Sequence, residues 1–213
     1  MLFRDRRDAG QQLATALQSY RDQQALIMAV PRGGVVVAAP VVAALNGELD
    51  LIIPRKVGLP ANPELALAAV APDGMVLYNW PVMGSFNLTA QNLKELVDRE
   101  LQEIHRRLEV YRGDRKEPQL QGRLVILIDD GIATGLTIEA ALQSLARNHP
   151  ARLVLAVPVA PPETIARLRP LVDDLRCLYT PEPFYAVGQF YTDFQQVTDA
   201  EVQEILAEFG PRG

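Results

Sequence analysis

Cysteine and histidine are scarce in this chain of 213 residues, which contains one Cys and two His. A single cysteine cannot form a disulfide within the chain, and the two histidines, His105 and His149, lie far apart without metal-ligand spacing. A disulfide scaffold and a structural zinc site are therefore excluded. We interpret Cys177 as a buried strand thiol, because neither histidine is an evident partner for a nucleophile. Both histidines are interpreted as solvated.

Long apolar runs and excess positive charge are also missing. The longest apolar run, 35–45, is shorter than the roughly 20 residues that a bilayer span requires, and Pro40 interrupts it. Residues 1–8 carry charges where a signal peptide needs an apolar segment, so we expect a cytoplasmic protein with no membrane partner. The formal net charge of -5 provides no overall field for nucleic acid, and no nucleic-acid partner is expected.

What the chain does contain is typical of one compact α/β domain. Hydrophobic residues make up 48% and charged residues 22%, near the averages for globular domains. Apolar runs predict strands at 25–30, 49–53, 75–78, 124–128, 153–157 and 175–179. Helical spacing predicts helices at 9–20, 35–45, 90–112, 136–147 and 163–169. This alternation indicates a mostly parallel sheet flanked by helices, with ligands at the carboxyl ends of its strands.

Three local features carry further expectations. Pro40 should lie near the first turn of its helix, where amides have no intrahelical acceptor. Segment 54–60 is predicted as a basic loop that leaves the second strand. The helix 90–112 has one apolar stripe, which must be buried against the domain, a lid or another subunit.

The most informative segment runs from Asp129 to Thr137, between the most strand-like run and a helix. Two carboxylates at the end of a strand can accept hydrogen bonds from the vicinal hydroxyls of a sugar. A glycine-containing turn that opens a helix presents amides and hydroxyls to a phosphate. Because carboxylates repel phosphate, the two halves must bind different parts of one ligand. A Walker A loop is disfavoured, since Leu136 follows Gly135 where a lysine would be needed.

An apolar strand, two acidic residues and then Thr-Gly-x-Thr, over 124–137, resemble the signature of the type I phosphoribosyltransferases. The resemblance implies binding of phosphoribosyl pyrophosphate, with Asp129 and Asp130 on the 2- and 3-hydroxyls of the ribose. It also implies a 5-phosphate loop, whose substrate-binding residues are Gly131, Ile132, Ala133, Thr134, Gly135 and Thr137.

Two further segments match the family in order. Arg32, Gly33 and Gly34 after the first strand resemble the loop that contacts the pyrophosphate. Arg55 and Lys56 resemble the basic loop of adenine and xanthine phosphoribosyltransferases. The resemblance implies that Arg32 and Lys56 join the two acids in catalysis. It implies that Gly33, Gly34 and Arg55 bind substrate. The whole set is similar to a subgroup of predicted bacterial phosphoribosyltransferases with an unassigned acceptor.

The resemblance implies a type I phosphoribosyltransferase fold as a single domain over 1–213, with a helical and strand insert at about 61–122 and a small hood at about 181–213. The hood should supply the acceptor pocket, with Phe184 and Tyr185 as candidate contacts. Mg²⁺ is the implied cofactor, held mainly by the substrate and not by direct protein ligands. Family members are commonly dimers, so we expect a homodimer.

Two functions remain open for this pattern. The first is transfer of the phosphoribosyl group to a small nitrogenous acceptor, such as a nucleobase, with release of pyrophosphate. The second is a non-catalytic module that senses phosphoribosyl pyrophosphate or a nucleotide. Arg32 and Lys56 favour the enzyme, because a sensor could dispense with pyrophosphate contacts. Ala133 stands where 6-oxopurine enzymes carry an acidic residue, which argues against hypoxanthine or guanine by that route. Leu136 replaces a small residue and should point away from the ligand.

Overall fold

The computed structural model describes residues 2–113 and 115–210. The strands are β1 (Leu26–Ala29), β2 (Glu48–Leu51), β3 (Arg55–Leu59), β4 (Asn62–Val70), β5 (Val76–Tyr78), β6 (Leu124–Ile128), β7 (Arg152–Val159) and β8 (Asp174–Tyr179). The α-helices are α1 (Arg6–Ala16), α2 (Gly33–Leu45), α3 (Trp80–Ser85), α4 (Ala90–Arg112), α5 (Leu136–Ala146), α6 (Pro162–Leu168) and α7 (Asp199–Phe209). Within the described residues, five strands form one parallel sheet in the order β2-β1-β6-β7-β8, and three form an antiparallel sheet in the order β3-β4-β5.

The parallel sheet is covered on both faces, which is why its strands are nearly continuous apolar runs. In β1, Ile27 and Ala29 belong to the buried cluster that contains α1 and α2. Leu26 and Met28 alternate with them and belong to the cluster that contains α5. The predicted α/β fold with a mostly parallel, helix-flanked sheet is confirmed. In the part of the chain that is described, no helix has both the length and the apolar character to cross a membrane.

The strand order creates a topological switch between β1 and β6. These two strands pair directly in parallel, but α2, which follows β1, packs on one face and α5, which follows β6, packs on the other. Such a switch leaves a crevice outside the carboxyl ends of the two strands, where open α/β sheets bind their ligands. The loops that begin at Val30 and Asp129 therefore form the walls of this crevice.

Helices α1 and α2 approach closely at Gly10. A Cβ on Gly10 would lie 2.4 Å from the carbonyl oxygen of Val37 and 3.0 Å from Cγ of Pro40. Pro40 lies in the interior of α2, so the expectation of a first-turn position is wrong. Proline cannot donate the helical hydrogen bond to Val36, but α2 is buried along most of its length, and this packing offsets the loss of one hydrogen bond.

The antiparallel sheet corrects the predicted basic loop at 54–60. Arg55 pairs with Val70 and Val57 pairs with Ala68, so the basic residues lie on a strand whose register is fixed. The partner strand β4 was not predicted, because its alanine-rich sequence has little β propensity. Helices α3 and α7 were not predicted either.

Helix α4 has the predicted bounds, and its apolar stripe packs on the domain itself. Leu93, Ile104 and Tyr111 are buried within the main core cluster, which also contains residues of the parallel sheet and α7. Of the three alternatives for the stripe, burial against the domain accounts for it. The homodimer stays a prediction, since this burial requires no second subunit.

Ile104→Ala should destabilise the protein strongly. The side chain is 0% exposed, and removing a buried isoleucine side chain costs about 2–5 kcal/mol of unfolding free energy. Val110→Ala on the same helix is a matched control, because Val110 is 44% exposed. This variant should change the unfolding free energy by less than about 0.5 kcal/mol. Urea unfolding of both variants measures the difference. Equal destabilisation would contradict burial of the stripe.

Candidate functional site

Two adjacent carboxylates lie directly after β6, at the crevice. The backbone amide of Asp130 donates to Oδ1 of Asp129 at 2.8 Å, which holds the two groups close together. Burial raises the pKa of Asp129 well above its ordinary value, and the charge of Asp130 raises it further. Burial also raises the pKa of Asp130, against the opposing effect of Arg6. Carboxylates that are costly to keep ionised are typical of functional sites.

Arg6 forms an ion pair with Asp130, and sequence reasoning missed this contact. Its Nε donates to Oδ2 of Asp130 at 2.7 Å, with 12% and 15% of the two side chains exposed. The guanidinium also lies 3.8 Å from the ring centroid of Phe194 and donates to the carbonyl of Gln195 at 2.8 Å. Helix α1 begins at Arg6, earlier than predicted, because Asp5 caps it. The cap could have been found in the sequence, but the contact across 124 residues could not.

The glycines after β1 meet the acid pair directly. A Cβ on Gly33 would lie 1.9 Å from Oδ2 of Asp130. A Cβ on Gly34 would lie 2.9 Å from the carbonyl oxygen of Ile128. A side chain at either position would therefore push the two loops apart. The structure brings the segment with the predicted pyrophosphate contacts beside the predicted ribose contacts.

Arg32 is oriented by two elements outside the crevice. Its Nη1 lies 3.5 Å from Oδ1 of Asp199, at the start of α7. The hydroxyl of Tyr111, on α4, donates to the same oxygen at 2.6 Å. The hydrogen bond from Tyr111, together with Arg32, holds the pKa of Asp199 below its ordinary value, so this carboxylate is ionised. An anion in the crevice must compete with Asp199 for Arg32.

The motif after the acids divides into an anchor and an open loop. Ile132 is buried, and its amide donates to a carbonyl of β7 at 2.9 Å. This residue therefore anchors the motif, and neither its side chain nor its amide is open to a ligand. Ala133 and Thr134 are exposed, and Thr137 lies half-buried in the first turn of α5. Gly135 has a φ of +74° and precedes α5, a conformation that favours glycine. The exposed part of the motif is Ala133 and Thr134, in the turn that opens α5.

A cavity of about 650 Å³ lies between this turn and the antiparallel sheet. Lys56 lines it from β3, beside the aromatic pair Tyr78 and Trp80, whose ring centroids are 5.0 Å apart. Thr134 and Leu136 line it from the opposite side. Leu136 therefore faces the insert.

Arg55 and Lys56 diverge because successive side chains of a strand point to opposite faces. Arg55 forms an ion pair with Glu100 of α4. Lys56 lines the cavity beside Thr134. Of the two predicted basic residues, the structure therefore brings Lys56 close to the motif, whereas Arg55 is directed to α4.

The hood aromatics mostly complete a small core. Phe184 packs on Phe190 with ring centroids 4.9 Å apart, and Tyr185 is 83% exposed. Neither Phe184 nor Tyr185 lines the cavity beside the motif. The predicted acceptor contacts are thus separate from this cavity. Residues 211–213 of the predicted hood lie outside the described residues.

The hood nevertheless contacts the motif backbone. The buried Tyr191 donates its hydroxyl hydrogen to the carbonyl of Asp130 at 2.6 Å. Val187 covers Gly131 so closely that a Cβ there would lie 2.5 Å from Cγ1 of the valine. The position of the acid pair therefore depends on the segment that follows the last strand.

Cys177 and the histidines stay outside this chemistry. Cys177 is half-buried in β8, and burial raises the pKa of its thiol to about 11, so it is protonated at neutral pH. His105 and His149 are exposed. Across residues 2–113 and 115–210, no cluster of three or more His, Cys, Asp or Glu is arranged to hold a metal ion.

Asp129→Asn should stabilise the ligand-free protein, because the amide can still accept from Asp130 without burying a charge. A raised pKa means that the folded state binds the proton more tightly than the unfolded chain, so stability falls as the pH rises above about 4. The stability of the variant should fall less steeply with pH. At neutral pH its melting temperature should be about 2–4 °C higher for each kcal/mol of unfolding free energy gained. Calorimetric melts across this pH range test the prediction. Identical slopes for variant and wild type would contradict it.

Three comparisons with known proteins bear on this site. The model of the phosphoribosyl transferase domain matches residues 6–195. The chain is 42% identical over 206 residues to Rv0571c of Mycobacterium tuberculosis, named as a candidate phosphoribosyl transferase, and the match covers 96% of this chain and 46% of that protein. The crystal structure of TT1426 from Thermus thermophilus is 42% identical, with a TM-score of 0.82, and the match covers 99% of this chain and 100% of that one. The chain thus spans about half the length of the curated relative, and it belongs to the phosphoribosyltransferase family.

Proposed function

We propose that this chain transfers the 5-phosphoribosyl group from phosphoribosyl pyrophosphate to a small nitrogenous acceptor and releases pyrophosphate. The observation that carries the proposal is the close contact between Gly33 and Asp130 at the switch between β1 and β6. This contact puts the loop after β1, which is suited to one anion, beside a carboxylate pair suited to sugar hydroxyls. The turn that opens α5, which is suited to a second anion, follows the acids. One ligand with a sugar between two phosphate groups fits this order.

In this proposal each part of the ligand has its own contacts. Asp129 and Asp130 accept hydrogen bonds from the ribose hydroxyls, and the turn that opens α5 holds the 5-phosphate. Arg32 faces the pyrophosphate, and Lys56, which lines the cavity beside Thr134, faces the ligand from β3. The acceptor nitrogen attacks C1 as the bond from C1 to the pyrophosphate oxygen breaks. The protein positions the reactants and neutralises the leaving group, and it needs no side-chain nucleophile.

Mg²⁺ fits this donor set as a cofactor that arrives with the substrate. Asp129 and Asp130 supply the carboxylates at the crevice, and Asp130 is already paired with Arg6. Mg²⁺ takes hard oxygen ligands and keeps several waters, so substrate oxygens can supply most of its coordination. Its chemistry would be to offset the charge of the leaving pyrophosphate. A homodimer and a cytoplasmic location remain part of the proposal.

The test is release of pyrophosphate from phosphoribosyl pyrophosphate and Mg²⁺ by the purified protein, across a panel of purine bases, pyrimidine bases and pyridine carboxylates. Turnover with one acceptor class supports the transferase. Tight binding of phosphoribosyl pyrophosphate without turnover by any acceptor would favour the sensing module. Absence of binding would contradict both functions.

The double variant Asp129→Asn, Asp130→Asn should bind phosphoribosyl pyrophosphate about tenfold or more weakly. Charge-assisted hydrogen bonds contribute roughly 1.5–3 kcal/mol each, and neutral amides lose that part of the interaction. Asp73→Asn is the control, because Asp73 lies in the exposed turn between β4 and β5. Titration calorimetry gives both affinities. An unchanged affinity in the double variant would remove the ribose assignment.

Arg32→Ala should weaken phosphoribosyl pyrophosphate and pyrophosphate binding more than ribose 5-phosphate binding. Ribose 5-phosphate lacks the group that Arg32 is proposed to contact, so its affinity should stay within about twofold of wild type. The three dissociation constants are measured side by side. If all three rise equally, Arg32 has been assigned to the wrong end of the ligand.

A further inference from the structure

Helix α6 lies directly beneath the turn that opens α5. A Cβ on Gly135 would lie 2.8 Å from Cγ2 of Thr164 and 3.0 Å from Nη2 of Arg167. Thr164 and Arg167 are three residues apart on α6, so they share one helix face. That face is the floor of the turn.

Both side chains donate to backbone carbonyls of the turn. Oγ1 of Thr164, a residue that is 4% exposed, donates to the carbonyl of Ala133 at 2.8 Å. Arg167 donates to the carbonyl of Thr134 and forms an ion pair with Glu139 of α5. Because Glu139 offsets its charge, Arg167 acts on the turn through this hydrogen bond more than through net charge.

The two hydrogen bonds fix the orientation of two successive peptide planes. In a trans peptide the C=O and the N–H point in opposite directions. Because the carbonyls of Ala133 and Thr134 point toward α6, the amides of Thr134 and Gly135 point away from it. They add to the helix-opening amides of α5, where an anion is stabilised.

We infer that Thr164 and Arg167 are positioning residues for the 5-phosphate, because they hold the amides of the turn in the orientation that receives it. The inference rests on the proposed function and assigns to α6 a role that lies outside the motif. A threonine that merely satisfies its own hydroxyl would fix one carbonyl, whereas here two side chains of one helix face hold two successive carbonyls of the turn.

The experiment compares Thr164→Val, which keeps the shape but loses the hydroxyl, with Thr164→Ser, which keeps the hydroxyl. Thr164→Val should bind ribose 5-phosphate about five- to tenfold more weakly, the effect of one lost hydrogen bond that orients a donor, with pyrophosphate binding unchanged. Thr164→Ser should stay near wild type. Ser144→Ala is the control, because Ser144 is also a buried hydroxyl residue but lies at the far end of α5.

Arg167→Gln provides a second variant should Thr164→Val fail to fold, since the Arg167 side chain is 42% exposed. It should show the same selective loss of ribose 5-phosphate affinity. Wild-type affinity for ribose 5-phosphate in a folded Thr164→Val protein, or an equal loss of ribose 5-phosphate and pyrophosphate affinity in both variants, would overturn the inference. If wild-type protein binds neither ligand, the proposed function fails before the variants are compared, and the inference fails with it.

Discussion

Two carboxylates held side by side in a partly buried crevice are the constraint on which the rest of the site depends. Strand β6 brings Asp129 and Asp130 to the sheet edge, but like charges in such a place repel each other and lose hydration. Arg6 supplies the opposite charge from α1, at the other end of the chain. Tyr191 fixes the backbone of Asp130 from the hood. The site is thus assembled from distant segments because the acid pair requires a partner on each side.

Basic side chains at the site have acidic partners within the chain. The ion pairs are Arg6 with Asp130, Arg32 with Asp199 and Arg167 with Glu139. For Arg32, anion binding is an exchange of partners with Asp199, so the net gain in binding free energy is smaller than for an unpaired cation. The ion pairs also preorganise the site, because side chains that are already held in place lose little conformational entropy when the ligand binds.

The sequence predicted the parts of the fold that follow from local pattern. The five strands of the parallel sheet and α4 lie where apolar runs and helical spacing indicated. Of the antiparallel sheet, the sequence predicted β5, at 75–78. Strands β3 and β4 escaped prediction because β4 is alanine-rich, β3 looks like a basic loop, and their pairing is set by tertiary contact. Helix α7 had a detectable signal, since Thr198 and Glu201 form a capping box.

The candidate site divides in the same way. Motif spacing located Asp129, Asp130 and the turn that follows them. The partners of these residues and of Arg32 could not be found, because Arg6, Thr164 and Asp199 come from segments whose proximity exists only in the folded chain.

Trp80 gives the cavity between the motif and the insert a built-in optical signal. It is the single tryptophan of the chain, it is 59% exposed, and it lines the same cavity as Lys56 and Thr134. Any molecule that enters this space or shifts the insert changes the polarity around one indole ring. The tryptophan emission of the unmodified protein therefore reports on that cavity, with Tyr78 at 5.0 Å as a natural energy donor.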